Sequence, residues 1–328
     1  MNPLSGPVAD IEKRAVLHVH TRASDGTGTP EEVISAASEA GVDILGINDH
    51  KTLDVRNRGF GGWHGDVFVL AGAELEDASR KTHMLVYGID ELPGTPNTAE
   101  QIEFVNRRGG MAIAAHPTEK PGRLPKTSSY SWKAASTRGL AGVEVWNYMS
   151  AWKKGISVFN MLRRIKFPDR YVEHPDPSAV EFWENAGGCA VATPDAHELS
   201  FGLGRRKLKI FPYEMLFRRL STHIMFTEEL SGNDSEAEKQ IISALREGSC
   251  FCSNMLLGDA SGFRLYRDDG EVCVRMPGKG RTVLSSGGRV LAEDVLEAGD
   301  HRLISPAGSP FSFSVLRKGR TWIHCGVP

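Results

Sequence analysis

Short, continuous apolar runs recur through the first two thirds of the chain, and nearly every one ends beside a histidine or a carboxylate. The runs Ala15–Val19, Val42–Ile47, Val67–Leu70, Met84–Ile89, Met111–Ala115, Val143–Trp146 and Cys189–Ala192 read as strands. Helical patterns lie between them at Glu31–Ala40, Thr98–Arg108 and Ser178–Ala186. Continuous apolar strands separated by helices argue for a parallel sheet buried on both faces, either open or closed into a barrel. The first helix carries its own start and stop signals. Thr29 is the expected N-cap, Pro30 the first helical residue, Glu31 and Glu32 suit the positive end, and Gly41 marks the stop.

Metal-binding side chains gather at the ends of these runs. The first strand gives His18 and His20, two alternate residues expected on one face. The second ends Asn48-Asp49-His50, the third Gly72-Ala73-Glu74, and the fourth opens at His83. Then come Ala115-His116-Pro117 and Asp195-Ala196-His197, with Asp25 in the loop after His20. One such residue says little, since a buried histidine is commonly just hydrogen-bonded in a core. Six of the eleven histidines at strand ends, with matching carboxylates, point to a multinuclear metal site. Imidazole and carboxylate together suit zinc, manganese or iron.

After about Phe226 the character changes. A polar stretch, Glu228–Ser235, precedes a short helix at Glu236–Arg246, and the remaining runs are short and turn-punctuated: Ser249–Met255, Gly262–Tyr266, Glu271–Met276, Arg281–Leu284 and Phe311–Leu316. Two domains are expected, residues 1–227 and a small β-rich module at 228–328. The formal charge of −2 lacks the basic excess of a nucleic-acid binder. No apolar run reaches the roughly 18 residues of a membrane helix. The first fifteen residues lack a secretion signal, and the five cysteines form no CxxC pair, so a reducing cytoplasm is the expected compartment.

The segments His18-Val-His20-Thr-Arg-Ala-Ser24-Asp25-Gly26, Pro30-Glu31-Glu32, Gly41-Val-Asp43 and Ile47-Asn-Asp49-His50 resemble the opening of the PHP (polymerase and histidinol phosphatase) superfamily. Gly72-Ala-Glu74, Ala115-His116-Pro117 and Asp195-Ala-His197 match its later motifs in order, and Pro194 departs from the serine common there. The resemblance covers about residues 14–205. It implies an α/β fold, a distorted barrel of seven parallel strands with helices outside, and a site for two or three divalent ions. One ion would take His18, His20, Glu74 and Asp195. A second would share Glu74 and take His83 and His116, and a third would take Asp25, His50 and His197. Asp49 would orient a ligand histidine, while Glu144 is either a supporting group or a polar residue facing a helix. Pro175–Glu184 and the appended β module resemble a two-domain branch akin to carbaryl hydrolase.

Such a centre implies hydrolysis by a metal-bridging hydroxide, with Asp49 and His197 as candidates for moving protons. The expected function is a phosphoesterase acting on a small phosphorylated metabolite or nucleotide. The alternative keeps the site but cleaves a carbamate, amide or carboxylic ester. A phosphate needs cations: Arg22 and Arg205 follow ligand-bearing strands, and Lys51, Lys120 and Arg123 lie near others. The loops around Trp63 and Tyr130 are candidate pocket walls, with Trp146 a further apolar surface. The basic, aromatic stretch from Trp152 to Lys166 reads as an amphipathic helix covering the barrel. The expected partner is a small molecule, without nucleic acid or membrane; the oligomeric state is left open.

Overall fold

The computed structural model describes residues 10–124, 127–133, 136–201, 208–268, 271–303 and 310–327. The first part carries β1 (Ile11–Val19), β2 (Ile44–His50), β3 (Gly62–His64), β4 (Val67–Glu76), β5 (His83–Tyr87), β6 (Met111–Ala114), β7 (Gly142–Asn147) and β8 (Cys189–Thr193). A hairpin comes next, β9 (Leu199–Phe201) and β10 (Leu208–Ile210), and then β11 (Leu220–Phe226). The rest are β12 (Cys250–Asn254), β13 (Arg264–Asp268), β14 (Glu271–Met276), β15 (Gly280–Ser286), β16 (Arg289–Leu296), β17 (Gly299–Leu303), β18 (Phe311–Arg317) and β19 (Arg320–Val327). The helices are α1 (Pro30–Glu39), α2 (Asp54–Asn57), α3 (Thr98–Arg107), α4 (Tyr148–Lys153), α5 (Met161–Lys166), α6 (Pro177–Ala186), α7 (Tyr213–Phe217) and α8 (Asp234–Arg246).

One large mixed sheet takes the order β16-β15-β18-β19-β12-β11-β1-β2-β4-β5-β6-β7-β8, with β3 beside β4. The pairs β1/β2, β2/β4, β6/β7 and β7/β8 are parallel, but β4/β5 and β5/β6 are antiparallel. The expectation of an all-parallel sheet therefore fails at β5. The six residues between β4 and β5 are too few for a crossover helix, so the chain must turn straight back.

The expected closed seven-stranded barrel is not formed either. The outer edge of β1 is occupied at Ile11–Ala15 by antiparallel β11. The segment after β8 meets β1 only at its end, through one parallel bridge between Val19 and Ala196. There the His20 amide donates to the Ala196 carbonyl at 2.9 Å, and the Ala196 amide to the His18 carbonyl at 3.1 Å. Thr222 on β11 fills part of the gap, donating to the Ala192 carbonyl at 2.9 Å and accepting from its amide at 3.0 Å.

Local signals in the sequence are met closely. Thr29 Oγ1 accepts from the Glu32 amide at 3.2 Å while Glu32 Oε2 accepts from the Thr29 amide at 2.8 Å, a complete capping box. Val33, Ala36 and Ala37 of α1 are buried in a core shared with Val16, Leu45, Val69 and Val143. A second cluster lies on the other side of the sheet, where Ala237, Ile241 and Leu245 of α8 pack with Leu17, Phe68 and Tyr87. The main sheet runs on across residue 228, because β12 pairs with β11 and β19 with β12. A separate antiparallel sheet, β13-β14-β17, belongs to a third core built on Phe263, Phe311, Phe313 and Trp322. Among the described residues, no helix is long and apolar enough to cross a membrane.

That third region carries a pH-sensitive group. His324 is buried on β19, its Nδ1 2.9 Å from Ser314 Oγ, and burial depresses its pKa to about 4. The unfolded chain takes up this proton near pH 6.5, the folded chain only near 4. Stability is therefore intact above pH 6.5 and falls as the pH drops through that window. The loss amounts to about 3 kcal/mol at 1.36 kcal/mol per unit. His324→Gln should flatten this part of the stability curve in chemical denaturation at about pH 7 and about pH 4. Equal acid losses in both proteins would remove His324 as the cause.

Candidate metal centre

Each side chain of the centre is delivered by a strand end or the loop after it. His18 sits at an irregularity where the β1/β2 register shifts between Val16 and Val19. Its backbone is left-handed, φ 64°, as are His116 at 29° and Asp195 at 54°. Non-glycine residues avoid this region, and their grouping in one spot is strain held in place by the surrounding sheet. Gly72 explains the Gly-Ala-Glu spacing of β4, since a Cβ there would lie 2.0 Å from the Val86 carbonyl oxygen. Gly26 serves the loop holding Asp25, where a Cβ would come 2.3 Å from the His20 carbonyl oxygen.

Glu74 is the hub. Its Oε2 lies 3.3 Å from His18 Nε2, 3.3 Å from His20 Nε2 and 3.3 Å from His50 Nδ1. Its Oε1 lies 2.8 Å from His83 Nδ1 and 3.3 Å from His116 Nε2. Asp195 Oδ1 stands 3.3 Å from His18 Nε2 and 3.7 Å from His20 Nε2. Asp25 is the outer carboxylate, 3.6 Å from His50 Nε2 and 3.3 Å from His197 Nε2. The structure thus brings together His18, His20, Asp25, His50, Glu74, His83, His116, Asp195 and His197. Within this cluster four overlapping sets have donor atoms mutually within 4.8 Å: His20/Asp25/His50/His197, His18/His20/Glu74, His18/His116/Asp195 and His50/Glu74/His83. The sets share members more than the three separate ligand groups implied by the sequence: His20 also joins the Asp25 set, and His83 groups with His50.

The donors suit divalent cations. Four buried ring nitrogens of the centre, His20 Nε2, His50 Nδ1, His83 Nε2 and His116 Nδ1, have no hydrogen-bond partner among the described residues. Buried polar atoms left unpaired are costly, and coordination is the way a lone pair in such a site is normally satisfied. Burial also works against every charge here. It drives His20 down to about 4, with the charge of His197 adding to it. Elsewhere the carboxylates outweigh burial: Asp195, Glu144 and Glu74 hold His18 well above its ordinary value, and Glu74 and Glu119 push His116 up to about 9. Asp25 and Asp195 raise His197 to about 9, and Asp25 and Glu74 raise His50. The imidazoles, against burial, hold Glu74, Asp195 and Asp25 well below the usual carboxylate range.

Glu144, left open between two roles by the sequence, supports the centre from below. Its Oε1 accepts from His18 Nδ1 at 2.6 Å and from Thr193 Oγ1 at 2.7 Å. Its Oε2 accepts from the His116 amide at 2.7 Å and from Asn147 Nδ2 at 3.0 Å. A carboxylate on Nδ1 fixes a proton there, so that Nε2, facing Glu74 and Asp195, is the nitrogen that would offer its lone pair to a cation. Asp49 does not hold a histidine directly. It accepts from the Thr21 amide at 2.8 Å, Thr21 Oγ1 at 2.7 Å and Ser24 Oγ at 2.6 Å, and reaches His20 only through Ser24, 3.5 Å from Nδ1. It therefore anchors the loop that carries Asp25. Sequence reading missed Asn147, whose Nδ2 is 3.4 Å from Asp195 Oδ2, and Tyr213, whose hydroxyl donates to the His20 carbonyl at 2.8 Å. Both act across long sequence separations that no local pattern announces.

The surroundings sort the remaining candidates. Arg22 is exposed on the loop between His20 and Asp25, with no hydrogen bond or ion pair to its guanidinium among the described residues. Arg205 lies outside the described residues. Lys51 is ion-paired to Glu76 at 3.0 Å, and Lys120 and Arg123 are exposed. Tyr130 stacks on His83 at 4.7 Å, its amide held by Glu119 Oε2 at 2.7 Å. Trp63 does not wall the site: it lies edge-on to Phe68 at 5.2 Å and donates to the Ser231 carbonyl at 3.0 Å, on the α8 side of the sheet. Beside His116 and Glu144 opens a cavity of about 390 Å³, lined by Trp146, Tyr171, Pro175, Lys154 and Arg170 among others.

No protein-family model matches the chain. An uncharacterized protein of Methanocaldococcus jannaschii, MJ1587, is 27% identical over 117 residues, 32% of this chain and 67% of that protein. Among solved structures, a two-domain protein of Bacteroides vulgatus containing a predicted PHP-like metal-dependent phosphoesterase superposes with a TM-score of 0.50 at 11% identity. That match covers 99% of this chain and 98% of that one. A proposed metal-dependent phosphoesterase of Bifidobacterium adolescentis gives a TM-score of 0.37 at 17% identity over 60% of this chain and 92% of that one. The Bacteroides likeness shows a shared fold; the second is too distant to carry an argument.

Proposed function

We propose that the chain is a metal-dependent phosphoesterase of the PHP type, acting on a small phosphorylated metabolite or nucleotide. The centre lies in residues 1–227, and 228–328 form an appended module. The observation that carries the reading is Glu74, a buried carboxylate whose two oxygens face two different sets of imidazoles. The fold shared with the Bacteroides protein accords with it. His18, His20, His50, His83, His116, His197, Glu74, Asp25 and Asp195 would hold two or three zinc, manganese or iron ions. Such ions supply an activated water at neutral pH and charge stabilisation. Glu144 presents His18 in one tautomer, Asp49 pins the Asp25 loop, and His197 is the candidate for moving protons at the outer rim.

A second reading, hydrolysis of a carbamate, amide or carboxylic ester in the manner of carbaryl hydrolase, draws on the apolar surfaces beside the centre. Tyr130 covers His83, and Trp146 and Tyr171 wall the adjoining cavity. Metal analysis of the purified protein, coupled to hydrolysis of phosphate mono- and diesters against aryl carbamates and esters, separates the two. Phosphate rates no better than those of Glu74→Ala, with clear carbamate turnover, would reverse the ranking.

Arg22 gives a sharper test. A guanidinium cannot ligate a cation, but its fork suits two phosphate oxygens. Arg22→Ala should leave metal content unchanged and raise the barrier for phosphate esters by about 2–4 kcal/mol in kcat/KM. A neutral ester should be affected far less. Equal losses on both substrates would make Arg22 a loop anchor, and no loss on phosphate would remove it from the site.

A further inference from the structure

Large apolar side chains are exposed at few places among the described residues, and most of them gather in one short segment. Phe159 is 97% exposed, Leu162 78% and Val158 68%, with Met161 and Phe167 also in water. Together they form a spur between α4 and the turn at Pro168–Tyr171. The stretch expected to cover the sheet as one amphipathic helix is α4 and α5 joined by a loop: Trp152, Ile156 and Ile165 pack against the core, while Val158, Phe159, Met161 and Leu162 are exposed and Arg164 is buried.

The spur is built rather than frayed. Asn160 Oδ1 accepts from the Ser157 amide at 2.8 Å, and its Nδ2 donates to the Gly155 carbonyl at 3.1 Å. Trp152 Nε1 donates to the Arg164 carbonyl at 3.0 Å, and the Arg164 guanidinium, which donates to the Trp152 carbonyl, lies 3.8 Å from the Tyr171 ring centre. These contacts tie the spur to α4 and to Tyr171.

Cations surround it. Arg163, Lys166 and Arg170 are exposed and have no carboxylate within ion-pair distance among the described residues. Lys166 and Arg170 instead lie over the Phe167 ring at 5.4 and 4.8 Å. Of the acids close by, Asp169 accepts from Tyr148 at 2.7 Å and from Arg219 at 3.0 Å, Asp176 faces Lys154 at 3.7 Å, and Glu173 lines the cavity without an ion pair to these cations. In a chain of net charge −2 this is a local positive field around protruding apolar groups. A second copy of the chain fits it poorly, because a two-fold contact would set these cations against themselves. An exposed apolar tip ringed by unpaired cations matches an interfacial lipid site, where apolar groups enter the acyl boundary and cations meet acidic headgroups.

We propose that the spur at residues 157–167 is a peripheral docking surface for an anionic lipid bilayer. The base of the same spur, Lys154 and Arg170, lines the cavity beside His116 and Glu144, so docking would set that cavity's mouth toward the membrane surface.

The test is co-sedimentation of the full chain with vesicles of phosphatidylcholine alone and of phosphatidylcholine with phosphatidylserine. Binding is expected only with phosphatidylserine, weakened by salt, and reduced at least tenfold in both Phe159→Asp/Leu162→Asp and Arg163→Glu/Lys166→Glu. These residues lie in water, so the variants should keep the melting temperature of the parent. No binding to the acidic vesicles would overturn the proposal, as would binding that both variants retain. Self-association abolished by the Phe159/Leu162 variant, without lipid binding, would replace it with an interface between copies of this chain. The readout needs no catalysis and stands apart from the fate of the phosphoesterase reading.

Discussion

Glu74→Gln should lose bound metal and hydrolytic activity together. The substitution is nearly isosteric, so β4 and its pairing with β5 remain possible. What goes is the negative charge that faces His18, His20 and His50 with one oxygen and His83 and His116 with the other. An amide nitrogen at either position would point a donor toward imidazoles that must offer lone pairs. A drop in kcat/KM on the order of 10²–10³ is expected, the scale of losing a charge-stabilising group in a water-excluded site. Excess metal in the assay should not restore it. Elemental analysis and kinetics on the same preparations check this, and a variant holding its full metal complement would show that Glu74 does not join the two sets.

Glu144→Gln should behave differently, because Glu144 acts through His18. Its four partners are all donors: His18 Nδ1, Thr193 Oγ1, the His116 amide and Asn147 Nδ2. A glutamine must turn one donor against another. The least costly escape moves the His18 proton from Nδ1 to Nε2, the nitrogen that faces Glu74 and Asp195. Metal affinity should then fall by about 10–100-fold, as for loss of other outer hydrogen bonds to ligating histidines. Unlike the Glu74 variant, this one should recover activity when metal is raised. Metal titration against a competing chelator reads the affinity, and thermal melting shows whether the fold has survived. Affinity equal to the parent would mean that Glu144 is held by packing alone.

The sequence by itself determined what depends on neighbours along the chain. The Thr29–Glu32 capping box, the order of β1, α1, β2, β4, β5, α3, β6, β7, α6 and β8, and the placement of histidines and carboxylates at strand ends all arise from short-range chemistry. Each can be read from a window of about ten residues, the span over which hydrophobic period and capping act. The apolar runs name no strand at β3, β9, β10, β11, β16, β17 or β19; of these β16 is exposed on nearly every residue, so it has no buried face to set a period.

Tertiary structure decided everything that joins distant segments. Glu144 meets His18 across 126 residues, which separates a supporting carboxylate from an idle one. Asp49 turned to Thr21 and Ser24 because the loop after β1 folds back onto β2 before any histidine reaches it. Trp63 was claimed by the segment leading into α8, through Ser231, 168 residues away. The sheet stayed open because β11, far along the chain, took the edge of β1 that closure requires. Competition of this kind for one edge or one hydrogen-bonding partner is settled by geometry among groups the chain order keeps apart, so no local pattern encodes its outcome.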